Sequence, residues 1–417
     1  MENQSLKGRT LYIPQMNYAG SRALAAVFRS VGIDATVSPD SDPRTLELGG
    51  KYTSGDECYP EKVTLGNFLK LTEREDFKPE KTALFMATAN GPCRFGQYAV
   101  YIRKVMRDLG YDDVMIFSPS SSNGYGAEGE NATSLERTAW WAVVSSDILQ
   151  KMLLKTRPYE INEGNTDEVF TKSVDELCLA IEQKGTGKER MTRIMEVLTK
   201  ARDQFRGVAI NYNPEFPLIG IVGEIFCRLN NFSNDNLIRR IEKFGAETWL
   251  SDVTEWVWYT KVEHIRKLRM AGKRFSKEML IAKIKNSVQK SDEHKLLKPF
   301  AEDFRGYEEP EVSEILDYNE PYLPCPPGAG GEMVLNIGRA IYLYEKGVDG
   351  VVDISPFTCM NGIVSEALYP RVSRDHENIP IRTFYFDGTQ MDLDRDVGIF
   401  IELARNYKRK KTKKREE

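Results

Sequence analysis

Four cysteines lie in loops whose glycines and prolines hold the backbone in fixed conformations: Cys58 in SGDECYPEK, Cys93 in ANGPCRFGQY, Cys325 in YLPCPPGAGGE and Cys359 in SPFTCMNG. Thiols placed this way can ligate a metal, act as nucleophiles, or serve as plain loop residues. A self-contained zinc ribbon pairs its ligands as C-x-x-C, and the chain has no such pair. A cysteine–histidine catalytic pair has little to draw on, because the three histidines, His264, His294 and His376, stand in charged, polar stretches typical of a solvated surface. Dispersed thiolates gathered by folding can instead hold a [4Fe-4S] cluster, since soft sulfur ligands suit iron–sulfur chemistry and need not be neighbours in sequence. With three ligands, one iron would keep an exchangeable position.

The other two cysteines read differently. Cys178 shares helical spacing with Val174, Leu177 and Ile181, the pattern of a packed core, and Cys227 follows the apolar run LIGIVGEIF. Two polar residues stand beside the reactive loops. Arg94 follows Cys93 and could meet an anionic ligand or hydrogen-bond a cluster, or be an ordinary surface arginine. Glu224 ends an apolar strand, where a carboxylate can act as acid or base, cap a helix or pair with a cation. The loop GAGG at 328–331 precedes a helix and offers backbone N–H groups to a phosphate, but it matches neither a P-loop nor G-x-G-x-x-G. No ATPase phosphate motif is recognisable elsewhere, so any ATP energy would have to come from another chain.

Positioning these loops requires strands with helices between them. Strand patterns at 10–14, 33–37, 82–87 and 113–117 alternate with helical patterns at 21–31, 61–71 and 95–109. From 134 to 206 the pattern turns to long helices. Strand signals return at 207–211 and 218–222, followed by a helix at 235–244, an apolar stretch at 247–259 and polar helices between 261 and 300 that read as an extension of this second domain. The last segment has helices at 333–346, 362–369 and 392–407 around strands at 350–354 and 381–386. The expected fold is therefore α/β, with flavodoxin- or Rossmann-like open parallel sheets in two to three domains joined by a helical segment. The expected divisions are an α/β domain at 1–130, a helical segment at 131–206, a second α/β domain at 207–324, an α/β segment at 325–407 and a disordered basic tail at 408–417.

Composition narrows the classes of function. The 417 residues are 41% hydrophobic and 29% charged, which excludes a disordered chain. The net charge is -4; the tail KRKKTKKREE carries seven positive and two negative charges, so the remaining 51 positive and 60 negative residues sum to -9. Nothing in this balance calls for nucleic acid or a membrane as partner. No run of 18 or more apolar residues occurs, the first residues do not resemble a secretory leader, and six cysteines are too few for a disulfide framework, so a cytoplasmic location is expected.

At the cysteine loops the chain resembles the acyl-CoA dehydratase activase-related family, relatives of the 2-hydroxyacyl-CoA dehydratase and benzoyl-CoA reductase subunits and of double-cubane cluster proteins. The resemblance rests on YTSGDECYPEKVTLGNF, NGPCRFGQY, KTRPYE, GIVGEIFCRLNNFSN, and GEMVLNIG followed by SPFTCMNG, and it extends over nearly the whole chain. It implies a [4Fe-4S] cluster held by Cys58, Cys93 and Cys359. Cys325 is a candidate fourth ligand, or a contributor to a larger double-cubane cluster. It further implies low-potential electrons from a separate ATP-dependent activator protein and an acyl-CoA or small-molecule substrate. A dimeric state is expected, and Glu224 and Arg94, from their positions beside the strand end and the cysteine loops, are the candidate catalytic side chains. Two other readings stay open: a double-cubane-type reductase of small molecules, and a non-catalytic regulatory or CoA-ester-binding module.

Overall fold

A computed structural model describes residues 6–89, 91–120, 132–327, 330–389 and 392–416. The protein is mixed α/β, with two four-stranded, wholly parallel sheets among the described residues, each flanked by helices, as the alternation in the sequence predicts. The chain forms two compact units. The first comprises 1–149, 171–200 and 264–298, and the second 150–170, 201–263 and 299–417.

In the first unit, β1 (Thr10–Ile13), β2 (Ala35–Val37), β3 (Thr82–Phe85) and β4 (Met115–Phe117) lie in the order β2-β1-β3-β4. Leu11 pairs with both Ala35 and Ala83, and Leu84 pairs with Ile116. Parallel strands buried on both faces need apolar side chains on both, which is why these segments are short apolar runs without alternation. Helix α1 (Tyr18–Arg29) packs Val27 and Phe28 into this core, and Asn17 caps it by accepting the Gly20 N–H at 2.7 Å. The sequence leaves 43–51 as a loop, yet these residues form α2 (Pro43–Lys51), started by a capping box between Asp42 and Thr45. Helix α2 lies directly on α3 (Tyr59–Thr72): a Cβ at Gly66 would stand 2.0 Å from the Thr45 carbonyl oxygen, so only glycine permits this approach. That contact fixes the start of α3, where Cys58 sits. Helix α4 (Tyr98–Asp108) follows β3.

Long helices α5 (Ala132–Thr156), α6 (Asn165–Glu182) and α7 (Gly187–Arg206) occupy the segment read as helical. After the short helices α8 (Ile225–Leu229) and α9 (Leu237–Lys243), the region that extends past 260 contains α10 (Val253–Met270) and α11 (Lys277–Leu297). Residues 264–298 belong to the first unit, not to the second domain they were expected to extend. The reason is a buried carboxylate on α11: Asp292 accepts the Trp141 indole N–H at 2.8 Å and both a 2.6 Å and a 2.9 Å hydrogen bond from Arg137, while Trp140 donates to the Gln289 carbonyl at 3.0 Å. A fork-on-carboxylate contact of this kind specifies its partner more tightly than apolar spacing does.

In the second unit, β5 (Leu218–Gly223), β6 (Glu247–Leu250), β7 (Gly350–Pro356) and β8 (Ile381–Phe386) lie in the order β6-β5-β7-β8. The segments divided at 324/325 in the sequence reading thus share one sheet. The expected strand at 207–211 contributes only an isolated bridge between Ile210 and Glu160. Helices α8 (Ile225–Leu229), α9 (Leu237–Lys243), α12 (Val312–Asn319), α13 (Glu332–Glu345), α14 (Met360–Asp375) and α15 (Leu393–Glu416) complete the unit. The basic end is not a disordered tail: α15 runs through it. Lys408 Nζ donates to the Phe216 carbonyl at 2.7 Å, and Lys411 Nζ donates to the Gly347 carbonyl at 2.7 Å and pairs with Asp349. Carbonyls and a carboxylate at the ends of neighbouring strands thus take up charges that the sequence suggests are solvated. Among the described residues no helix is long and apolar enough to cross a membrane.

The role of Asp292 is open to direct measurement. Replacing Asp292 with Ala leaves a buried indole N–H and the Arg137 guanidinium without their acceptor, and urea unfolding should register a loss of about 2–4 kcal/mol.

Candidate functional site

Both sheets have the strand order in which the chain reverses direction beside the first strand, between β1 and β3 and between β5 and β7. Loops at the carboxyl ends of strands flanking such a reversal form a crevice, and this is where open parallel sheets bind ligands. The cysteines singled out from the sequence fall into two groups: Cys58 and Cys93 in the first unit, Cys325 and Cys359 in the second. All six cysteines of the chain are thiols, none in a disulfide.

In the first unit the loops of Cys58 and Cys93 are brought together. Cys58 is the N-cap residue of α3, and its sulfur is hydrogen-bonded with the hydroxyl of Tyr98, the first residue of α4. Cys93 is exposed and precedes the short 3-10 turn Arg94–Gln97 that leads into α4. Arg94 Nη1 donates to the Asp56 carbonyl at 2.5 Å, which clips the Cys93 loop onto the Cys58 loop. Its charge also reaches Glu61 in the first turn of α3. Burial, reinforced by the Glu57 charge and opposed by Arg94, pushes the Glu61 carboxyl up to about 7. The structure therefore gives Arg94 a loop-positioning contact that its sequence neighbourhood did not reveal.

In the second unit a glycine creates the crevice. Gly223 ends β5 with φ +123°, and a Cβ there would lie 2.2 Å from the Ile354 carbonyl oxygen on β7. The next N–H, that of Glu224, donates to the same carbonyl at 3.0 Å. Asn336 Oδ1 on α13 accepts the Gly223 N–H at 3.1 Å. The chain then turns into α8, where Glu224 accepts the Phe226 and Cys227 N–H groups at 3.1 and 2.7 Å, one on each carboxylate oxygen. Glu224 is thus the cap of α8 as well as a carboxyl held above its usual range by desolvation.

Beside it lies a cluster that the sequence did not disclose. Glu332 accepts the Ile225 N–H at 2.7 Å and an Asn361 amide N–H at 3.4 Å. Burial, then the nearby Glu224 charge, pushes the Glu332 carboxyl up to about 8, so it carries a proton at neutral pH. Arg228 is buried and donates to the Gly223 carbonyl at 2.6 Å, while its Nε, with Asn361 Oδ1 and Asn336 Nδ2, has no hydrogen-bond partner among the described residues. Asp353, wholly buried on β7, accepts from the Ser355 hydroxyl at 2.6 Å and the Tyr369 hydroxyl at 2.5 Å, and burial raises its carboxyl. Cys359 is the N-cap residue of α14 at the end of β7, and burial together with the Glu224 and Glu332 charges pushes its thiol up. Buried polar atoms without partners are scarce in folded proteins, and several in one crevice mark a place built for something other than packing. The signal available in the sequence was GGEMVLNIG, in which Glu332 and Asn336 fall one helical turn apart.

The remaining candidates lie elsewhere. Cys325 is half-buried against the apolar cluster of Tyr259, Val312 and Val334. Cys227 is fully buried, as its apolar run suggests. Cys178, expected in the core, is only half-buried on the wall of a first-unit cleft of about 540 Å³ at the ends of β1 and β2, and desolvation pushes its thiol up to about 11. The first half of the loop 328–331 lies outside the described residues. Among the described residues no three His, Cys, Asp or Glu side chains form a metal-binding group. Cys58 stands at the start of α3 without capping it through its own side chain, where N–H dipoles favour a thiolate, and the exposed Cys93 lies in the loop clipped to it; at Cys359 burial works against the thiolate.

Two measurements probe this geometry. Gly223→Ala should cost about 2–4 kcal/mol in urea unfolding, since it combines a left-handed φ with a backbone clash. A carboxyl raised from 4.5 to about 8 stabilises the fold below its unfolded value and loses that contribution as pH rises through its folded value. Stability should therefore fall between about pH 5 and 8, and Glu332→Gln should flatten this slope by an amount on the order of 3 kcal/mol. In comparisons with known proteins, no family model and no curated protein matches the chain.

Proposed function

We propose that the chain is an iron–sulfur protein of reductive or radical type, resembling the 2-hydroxyacyl-CoA dehydratases, with the Cys58 and Cys93 loops of the first unit supplying ligands to a [4Fe-4S] cluster. One observation carries this reading: Cys58 and Cys93 stand in loops clipped to one another by Arg94, and neither is tied into a disulfide. When bound, such a cluster supplies single electrons at low potential. A separate ATP-dependent activator is the electron donor in this reading, and the substrate is an acyl-CoA-type thioester.

The chain's own residues have defined tasks. Arg94 holds the Cys93 loop against the Cys58 loop. Tyr98 would donate its hydroxyl hydrogen to Cys58 in the thiolate form, a contact that would raise the potential of a cluster ligated there. Glu332, protonated at neutral pH, is the proton donor of the second-unit crevice, and Glu224 fixes α8 so that Arg228 and Glu332 keep their places. Arg228 supplies the buried positive charge.

Anaerobic purification with iron and sulfide analysis tests the reading. The wild type should carry about four irons per chain, and Cys58→Ala and Cys93→Ala should each lose most of them, while Cys359→Ala tests the third ligand that the resemblance implies. Cys325→Ala is the control that tells a fourth ligand from an apolar packing residue. Wild-type protein that stays iron-free after reconstitution rejects the proposal, and unchanged iron in all three variants rejects the ligand assignment.

A further inference from the structure

Helix α11 leaves a row of apolar side chains exposed in addition to those it buries. Leu280, Ile281, Ile284 and Val288 are exposed, while the side turned inward buries Met279 and Leu296 at its two ends together with Asp292. The connection from α10 adds Phe275, 95% exposed, and Met270, 69% exposed. Folded proteins seldom leave so many large apolar side chains on one element unless something covers them.

Charge says what kind of surface would cover them. Between 261 and 300 there are twelve Lys and Arg against four Asp and Glu, in a chain whose net charge is -4. Lys273 pairs with Glu278 and Lys285 with Glu136, while Arg274, Lys277 and Lys283 have no carboxylate partner among the described residues. A second copy of the chain meeting this face with its own would bring lysines against lysines. Phe275 also stands clear of any wall: 271–274 beside it are all exposed, so the feature projects and does not form a groove. The turn is nevertheless held in shape, with Gly272, Lys273 and Ser276 N–H groups donating to Arg269, Leu268 and Lys273 carbonyls. A projecting aromatic residue ringed by cations suits a fluid, negatively charged interface, which needs no shape complementarity.

We propose that the α10–α11 turn and the first turns of α11 dock on an anionic membrane surface, with Phe275, Met270 and Leu280 entering the headgroup layer and Arg274, Lys277 and Lys283 facing the lipid phosphates. This is peripheral attachment, compatible with the lack of a spanning helix among the described residues, and it is independent of the iron–sulfur reading. The test is vesicle flotation of the full chain with phosphatidylcholine alone and with about one-quarter phosphatidylglycerol, in low salt and in about 0.5 M salt. Three cations at the surface correspond to about a hundredfold preference for the anionic vesicles in low salt, most of it lost in high salt. Phe275→Ser with Leu280→Ser, and separately Arg274→Glu with Lys277→Glu, should each reduce flotation about tenfold or more. All four positions are exposed, and an unchanged thermal midpoint will show that the variants fold. Equal flotation on neutral and anionic vesicles, no flotation, or flotation unaffected by either pair of substitutions overturns the proposal. So does a salt-resistant dimer that becomes monomeric in the Phe275/Leu280 variant, which would make a second copy the occupant.

Discussion

The second unit is organised by one backbone approach, that of Gly223 to the Ile354 carbonyl. Strand β5 stays paired with β7 up to its last residue, Gly223 opposite Ile354, where the absence of a Cβ lets the Ile354 carbonyl come close and the next N–H bond to the same oxygen. The chain must then turn sharply away, and Glu224 satisfies the first N–H groups of the helix that results. Arg228 returns its guanidinium to the Gly223 carbonyl, and Glu332 on α13 accepts the Ile225 N–H. Loosening of the β5–β7 contact would displace all three groups together.

Electrostatics in this unit follows from how little water reaches these groups. Carboxyls at 224, 332 and 353 are all raised, with desolvation the largest cause in each case, although Arg228 lowers every one of them. Glu309 behaves in the opposite way. Fully buried Arg339 and Lys151 flank it closely and pull its carboxyl down to about 2, and Trp249 donates its indole N–H to it at 3.1 Å. Two acid clusters in one unit are thus shifted in opposite directions. The difference lies in how near the cations stand: Arg339 Nη1 is 2.6 Å from Glu309. The Glu309 network serves the core, and the proton-holding cluster lies at the crevice.

Much of the fold was legible in the residues. The strand at 381–386 and the parallel α/β alternation follow from apolar runs bounded by turn residues, a local signal. What escaped depends on partners far away in sequence. Helix α2 forms because of a capping box and a glycine on α3, and α11 joins the first unit through Asp292, which reaches Trp141 across some 150 residues. The cysteine loops stood out because residue type and loop chemistry coincide there. Glu332 and Arg228 did not, since a buried carboxyl and guanidinium read as surface residues until a fold encloses them.

Neither unit is a continuous stretch of chain: the first needs residues up to 298, and the second is closed by α15 on Asp349. During synthesis on the ribosome, the strands of the first sheet emerge early, but the helix that covers Trp141 arrives about 150 residues later. The nascent protein therefore passes through a long interval with Trp140 and Trp141 lacking the partners they have on α11. A chaperone would find its binding surface in that interval.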